Sequence, residues 1–178
     1  HPPPKPPAHP FPPPGSTSPR QRLVRARGTG EQIVIFGDYD VDGITSTALL
    51  TQFLRTLGWR VEWYLPHRLD EGYGLSSDGV ANCLARFPAT LLLAVDCGST
   101  AVEPVRWLKD RGVDVVVVDH HQVSSPAPDV IALVNPQVSV AAGDFRGLCS
   151  AGLAFKLAHA ILKQGSDGGV RTGVGPCR

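Results

Sequence analysis

The sequence has no Cys-x-x-Cys pair. Its four cysteines, Cys83, Cys97, Cys149 and Cys177, are widely spaced, which indicates neither a zinc cluster nor a disulfide framework. A reducing, cytoplasmic compartment is the expectation. No apolar run approaches the ~20 residues that a membrane helix needs, and no stretch reads as a secretory signal. An excess of one charge is missing too. Seventeen Lys and Arg against sixteen Asp and Glu leave a net charge of +1, so no global basic field announces a polyanion. Methionine is absent and the first residue is His1, from which a fragment is expected.

What the chain does have falls into three parts. Residues 1–21, "HPPPKPPAHPFPPPGSTSPRQ", are dominated by proline and are expected to be a solvated tail, since such a stretch cannot form a helix interior or an inner strand. Residues 165–178 are rich in glycine and also read as a tail. Residues 22–164 are enough for one domain with a real core.

Within that domain, "GDYDVDG" places Asp38, Asp40 and Asp42 at alternate positions before Gly43. This is how an EF-hand calcium loop opens, but that loop requires a bidentate Glu at its twelfth position and a preceding helix. The twelfth residue from Asp38 is Leu49, and the run upstream is "QIVIFG", a strand by its β-branched content. Downstream, Leu50, Phe53, Leu54 and Leu57 recur at helical spacing. The aspartates therefore lie on a strand-to-helix turn.

The remaining pattern alternates. Strands are expected at 33–36, 60–65, 91–95, 115–118 and 131–134, with helices at 76–87, 101–111 and 151–164. The inner strands, such as "LLLAV" and "VVVV", are apolar throughout, as in strands buried on both faces. The predicted class is α/β, a parallel, doubly wound sheet with helices on both faces. Polar residues then mark the strand ends: Asp38 after the first, Asp96 after the third, and Asp119, His120 and His121 after the fourth. Ligands of open parallel sheets bind beyond those ends. Clustered carboxylates at ~4 Å repel by ~4 kcal/mol at an effective dielectric near 20, so the group calls for protons or a cation. Oxygen ligands with imidazole and no thiolate suit Mn²⁺ or Mg²⁺. Two such ions can activate water for an in-line phosphoryl displacement.

"GDYDVDG", "VDCG" and "VVDHH", in this order, resemble the first three motifs of the DHH phosphoesterase superfamily. "PHRLDEGYGLS" and "GLCSAGLAFKLAHAI" resemble segments of its RecJ-like branch, the single-strand-specific 5′→3′ exonucleases. The resemblance implies a DHH domain holding two Mn²⁺ or Mg²⁺ ions. It implies Asp40, Asp42, Asp96 and His120 as metal ligands, with Asp96 bridging. His121 would face the scissile phosphate, with Asp119 orienting its neighbours and Asp38 adjacent to the ligands. Arg68, Tyr73 and Gly74 would meet substrate phosphate, and the amides at Ser150 and Gly152 would offer a helix N-terminus to it. The plainer readings are a surface salt bridge from Arg68 to Asp70 or Glu71, a cap role for Ser150 and a turn role for Asn135. The implied partner is single-stranded DNA, with a single-strand-binding protein or helicase beyond it, and no membrane.

Two departures from the family pattern stand out. The fourth motif, an Asp in a "D-L-[VA]-A-L-G-T"-like stretch, is absent, and so is the family's second domain. The expectation is the catalytic N-terminal part of a RecJ-like protein with impaired activity, Asp144 and Asp167 being the first substitutes to test for the missing ligand. Three alternatives remain: a non-catalytic replication module of the same fold, a DHH-type oligonucleotide or cyclic-dinucleotide phosphodiesterase, and a phosphoacceptor domain like a response-regulator receiver, which would have no use for a His pair.

Overall fold

The computed structural model describes residues 18–138 and 145–165. Five parallel strands form one sheet: β1 (Gln32–Gly37), β2 (Arg60–Tyr64), β3 (Leu91–Val95), β4 (Asp114–Val118) and β5 (Ala132–Val134). Their order is β2-β1-β3-β4-β5. Among the described residues six helices accompany them: α1 (Pro19–Thr29), α2 (Val41–Thr56), α3 (Arg68–Glu71), α4 (Ser77–Arg86), α5 (Val102–Lys109) and α6 (Ser150–Gly165). The doubly wound α/β class read from the sequence is the one observed.

Period-two alternation divides each inner strand between two cores. Ile33, Ile35, Leu91, Leu93, Val116 and Val118 face Leu23 of α1, Leu50 and Leu54 of α2, and Leu153 and Leu157 of α6. Val34, Phe36, Leu92, Ala94, Val115 and Val117 face Val80 of α4 and Val105 and Leu108 of α5. Both sets are buried, which is why these strands carry no polar face.

The expected tail boundary at residue 21 is corrected. α1 begins at Pro19, so Pro19, Arg20 and Gln21 belong to the helix. Proline is at home there, because the first-turn N–H it lacks has no intrahelical acceptor. Ser18 and Gln21 form a reciprocal capping box. Residues 1–17 and 166–178, the rest of the two expected tails, lie outside the described residues.

Polar contacts fasten α1 beside the buried Leu23 and Ala26. The Arg22 guanidinium, 3% exposed, donates to Glu31 at 2.6 Å and to Asp114 at 2.5 Å. Thr29 and Thr90 also donate to Glu31, and Trp59 Nε1 donates to the Leu23 carbonyl. The hydrogen bond from Arg22 holds the Glu31 carboxyl down at about 2. A depressed carboxylate contributes stability above its unfolded value and loses it as the pH falls through the folded one. Glu31→Gln should therefore destabilise the chain at neutral pH by about 2 kcal/mol. The gap to wild type should close between pH ~4.5 and ~2. Urea melts of both proteins at pH 7, 4 and 2.5 check this, and a pH-independent gap would count against it.

Candidate metal centre

The sheet order reverses direction at β1, whose neighbours are β2 on one side and β3 on the other. That switch point opens a crevice beyond the carboxyl ends of β1 and β3. Register then aligns the polar residues. Gly37 pairs with Val95, Val95 with Val118, and Val118 with Val134. The next residue on each strand is Asp38, Asp96, Asp119 and Asn135. With strands ≈ 4.8 Å apart, four polar side chains form one row across the sheet. All four are buried.

Close packing brings α2 onto this row. A Cβ on Gly37 would lie 2.0 Å from Thr47 Oγ1, and one on Gly43 would lie 2.4 Å from the Asp38 carbonyl. Only glycine at both positions lets the helix start against the strand end. Asp40 is the N-cap of α2, accepting from Gly43 N at 2.9 Å, and Asp42 sits in the first turn. Asp96 adopts φ 61°, the left-handed region, where Asp and Asn are among the more tolerated side chains.

Among the described residues, two sets of potential ligand atoms each lie within 4.8 Å of one another: those of Asp38, Asp40 and Asp96, and those of Asp96, His120 and His121. Asp96 belongs to both. His120 Nε2 stands 3.4 Å from Asp96 Oδ1 and 3.8 Å from Asp42 Oδ2. The structure thus brings together all four expected ligands, and adds Asp38 and His121 at ligand distance from Asp96. A cation fits the electrostatics. Both oxygens of Asp96 and Oδ2 of Asp38 are buried without a hydrogen-bond partner, an arrangement that costs several kcal/mol unless something compensates it. Burial pushes Asp96 up to about 7, with Asp40 and Asp42 adding repulsion, and burial raises Asp38 as well. The Gly43 amide instead holds Asp40 below its usual range.

Asp119 organises the histidines. It accepts from Ser99 N at 3.1 Å, His120 N at 2.7 Å and His121 N at 3.2 Å, and pairs with His121 Nδ1 at 2.7 Å. Burial pushes its carboxyl up, but the hydrogen bonds from Ser99 and His121 outweigh this and leave it below its usual value. A carboxylate only accepts, so His121 donates from Nδ1 and keeps Nε2 free. Burial lowers His121, yet the Asp119 partner more than compensates and raises it. His121, Asp119 and Asp96 line a cleft of about 530 Å³ together with Tyr73 and Gly74.

Asn135 is more than a turn residue. Its Nδ2 donates to Ser99 Oγ and to the His121 carbonyl, both at 2.8 Å. Glu71 was also missed: its buried carboxylate accepts from Tyr64, Asn82 and the His67 amide, anchoring the loop that carries Tyr73. Arg68 forms neither expected salt bridge among the described residues. Its guanidinium lies over the Tyr39 ring at 4.9 Å, Tyr39 meets Tyr73 edge-on at 6.0 Å, and Asp70 pairs with His67.

The expected phosphate role of the α6 amides takes a different form here. Ser150 N and Ala151 N donate to the two oxygens of Asp42, at 2.7 and 2.9 Å. Gly152 lies in the same turn against Leu148. Asp144 and Asp167, named as substitutes for a missing ligand, lie outside the described residues.

Residues 32–171 match the model of the DHH family, N-terminal domain. The chain belongs to the DHH family. The single-stranded-DNA-specific exonuclease RecJ of Bacillus subtilis is 37% identical over 158 residues, covering 89% of this chain and 20% of the relative. Among solved structures, exonuclease RecJ bound to manganese superposes with a TM-score of 0.71 at 35% identity, covering 88% of this chain and 38% of that one. RecJ of Thermus thermophilus in complex with Mn²⁺ gives 0.68 at 32% identity, covering 82% and 20%. The chain thus spans about a fifth of the length of the curated RecJ it matches. Among the described residues, no helix is long and apolar enough to cross a membrane.

Proposed function

We propose that this chain is the metal-binding catalytic core of a RecJ-type phosphodiesterase that hydrolyses single-stranded DNA from the 5′ end, in recombination and repair. The observation that carries the reading is Asp96, buried and shared between a carboxylate group and an imidazole group. Similarity to RecJ proteins, two of them solved with manganese, supports it. Asp40, Asp42, Asp96 and His120 would hold Mn²⁺ or Mg²⁺, which when bound supplies an activated water and charge neutralisation at a phosphoryl group.

The protein's own groups do the rest. Asp119 fixes the His121 ring through Nδ1 and keeps it more basic than a free imidazole. The protonated Nε2 is then poised to give its proton to the departing 3′ oxygen of the released nucleotide. Tyr73 and Gly74 wall the cleft, and Arg68 with Tyr39 places a cation and an aromatic face beside them, a combination that suits a single strand. The net charge of +1 adds little through counterion release.

The test is Mn²⁺-dependent release of mononucleotides from 5′-phosphorylated single-stranded DNA. His121→Ala should lower the rate at least ~100-fold, the usual worth of a positioned acid. This chain alone should turn over ~100-fold or more slowly beside a full-length RecJ, because a misplacement near 1 Å costs that much. Turnover unaffected by His121→Ala would sink the assignment of His121. Turnover equal to the full-length enzyme would show that these residues position the strand unaided.

A further inference from the structure

Among the described residues, several places hold polar groups that the local sequence does not explain, among them the Glu71 network, the buried hydroxyls of Thr47 and Thr51, and the start of α6. The last is the most informative. Asp42 lies in the first turn of α2 and Ser150 opens α6, 108 residues later. The two helices pack through Leu50 and Leu54 against Leu153 and Leu157, so their N-terminal ends meet at the crevice. There both oxygens of Asp42 accept first-turn amides of α6. Ser150 is 0% exposed, and its Oγ is buried with no partner, as are both oxygens of Asp96.

We propose that the N-terminus of α6 is a clamp that orients the Asp42 carboxylate for a divalent cation beside His120, so that cation loading and the docking of α6 are linked. The inference rests on the metal-binding part of the proposed function. Each carboxylate oxygen has two lone-pair directions, and the amides occupy one on each. The second direction at Oδ2 remains, 3.8 Å from His120 Nε2, which is itself 3.4 Å from Asp96 Oδ1. A cation within reach of His120 and Asp96 would therefore meet an Asp42 already held by two N–H groups. Hydrogen-bonded support of this kind fixes ligand geometry. Ser150 Oγ is the hydroxyl available to hold Asp96 in the same way.

Linkage works both ways: a cation that needs the clamped Asp42 must stabilise the clamp. Ser150→Pro separates the clamp from the helix. Proline is accepted at the first helical position; the change removes the Ser150 N–H and hydroxyl and leaves the Ala151 amide on Asp42. Ser150→Ala removes only the hydroxyl. With Mn²⁺ alone as the probe, titration calorimetry should show ~10–100-fold weaker binding for Ser150→Pro and a smaller loss for Ser150→Ala. Circular dichroism should show α6 retained. In the wild-type chain, Mn²⁺ should slow amide hydrogen exchange across the first turn of α6.

Wild-type affinity in Ser150→Pro, or tighter binding, would overturn the proposal, the second by showing that α6 competes for Asp42. Should Ser150→Pro fail to fold, the exchange measurement decides, and unchanged exchange in α6 on Mn²⁺ binding overturns the clamp. A wild-type chain that binds no Mn²⁺ sinks the metal reading and the clamp together. One that binds Mn²⁺ without affecting α6 sinks the clamp alone.

Discussion

Asp96→Asn should raise the melting temperature of the metal-free chain and abolish its stabilisation by Mn²⁺. The two effects have opposite signs and one cause. Asp96 is buried among like charges with both oxygens unpartnered, and burial with repulsion from Asp40 and Asp42 pushes it up to about 7 from 3.8. The folded chain therefore keeps a proton that the unfolded chain releases near 3.8. Wild-type stability falls as the pH rises between those values and levels off above the higher one. The ceiling of this penalty is on the order of 4 kcal/mol. A buried amide retains part of the desolvation cost, so the expected gain is about 1–3 kcal/mol. At roughly 2–4 °C per kcal/mol that is a rise of several degrees.

The backbone does not oppose the change, because Asn is at least as comfortable as Asp at φ 61°. Mn²⁺ at about 100 times its Kd would add ~2.7 kcal/mol to the wild-type chain. The variant should gain almost nothing, since Asp96 alone belongs to both ligand groups. Melts at pH 5 and 8, with and without Mn²⁺, give all four numbers. A Mn²⁺ shift that survives in the variant would remove Asp96 from the centre. A lower metal-free melting temperature would make its carboxylate a structural acceptor.

The sequence exposes the sheet and the chemistry for the same reason. β3 and the Val115–Val118 run of β4 are apolar throughout, so their polar followers, Asp96 and Asp119, stand out at the strand ends. The same rule reached Asn135, which follows Val134 in register with Asp119, yet Pro136 suggested only a turn. α1 was hidden because its anchor is a guanidinium joined to Asp114, 92 residues away. Local periodicity cannot show such a contact, although Ser18, Pro19 and Gln21 carry a helix-start signal. The hold of α6 on Asp42 spans a similar gap. The motif marks Asp42 as an expected metal ligand, but not which amides meet it. Arg68 shows a further limit. Acidic neighbours in sequence suggested ion pairs, whereas the α3 turn sends the guanidinium over Tyr39.

Asp119→Asn should unsettle both the fold and the acid. The wild-type carboxylate receives N–H donors on both oxygens: Ser99 on Oδ2, and the His120 and His121 amides with the His121 ring on Oδ1. Asparagine must turn an NH₂ toward one of these sides. In the milder orientation it faces Ser99 N and leaves two buried donors opposed. At ~1–3 kcal/mol for each unsatisfied group, the loss is about 2–6 kcal/mol, a fall of ~4–24 °C in melting temperature. Burial, the largest influence on His121, would then act without its main opponent, so the imidazole should titrate lower than in wild type. In wild type the raised value gives stability below the unfolded pKa, lost as the pH rises through the folded one. The variant should show a weakened or inverted dependence, because a ring no longer held charged gains nothing from acid. An NMR titration of the His121 ring, with melts at pH 5.5 and 8, reads both consequences. An unchanged His121 titration would mean that Asp96 and Asp38, not Asp119, keep the ring protonated. Nuclease activity lost despite that titration would then point to ring orientation alone.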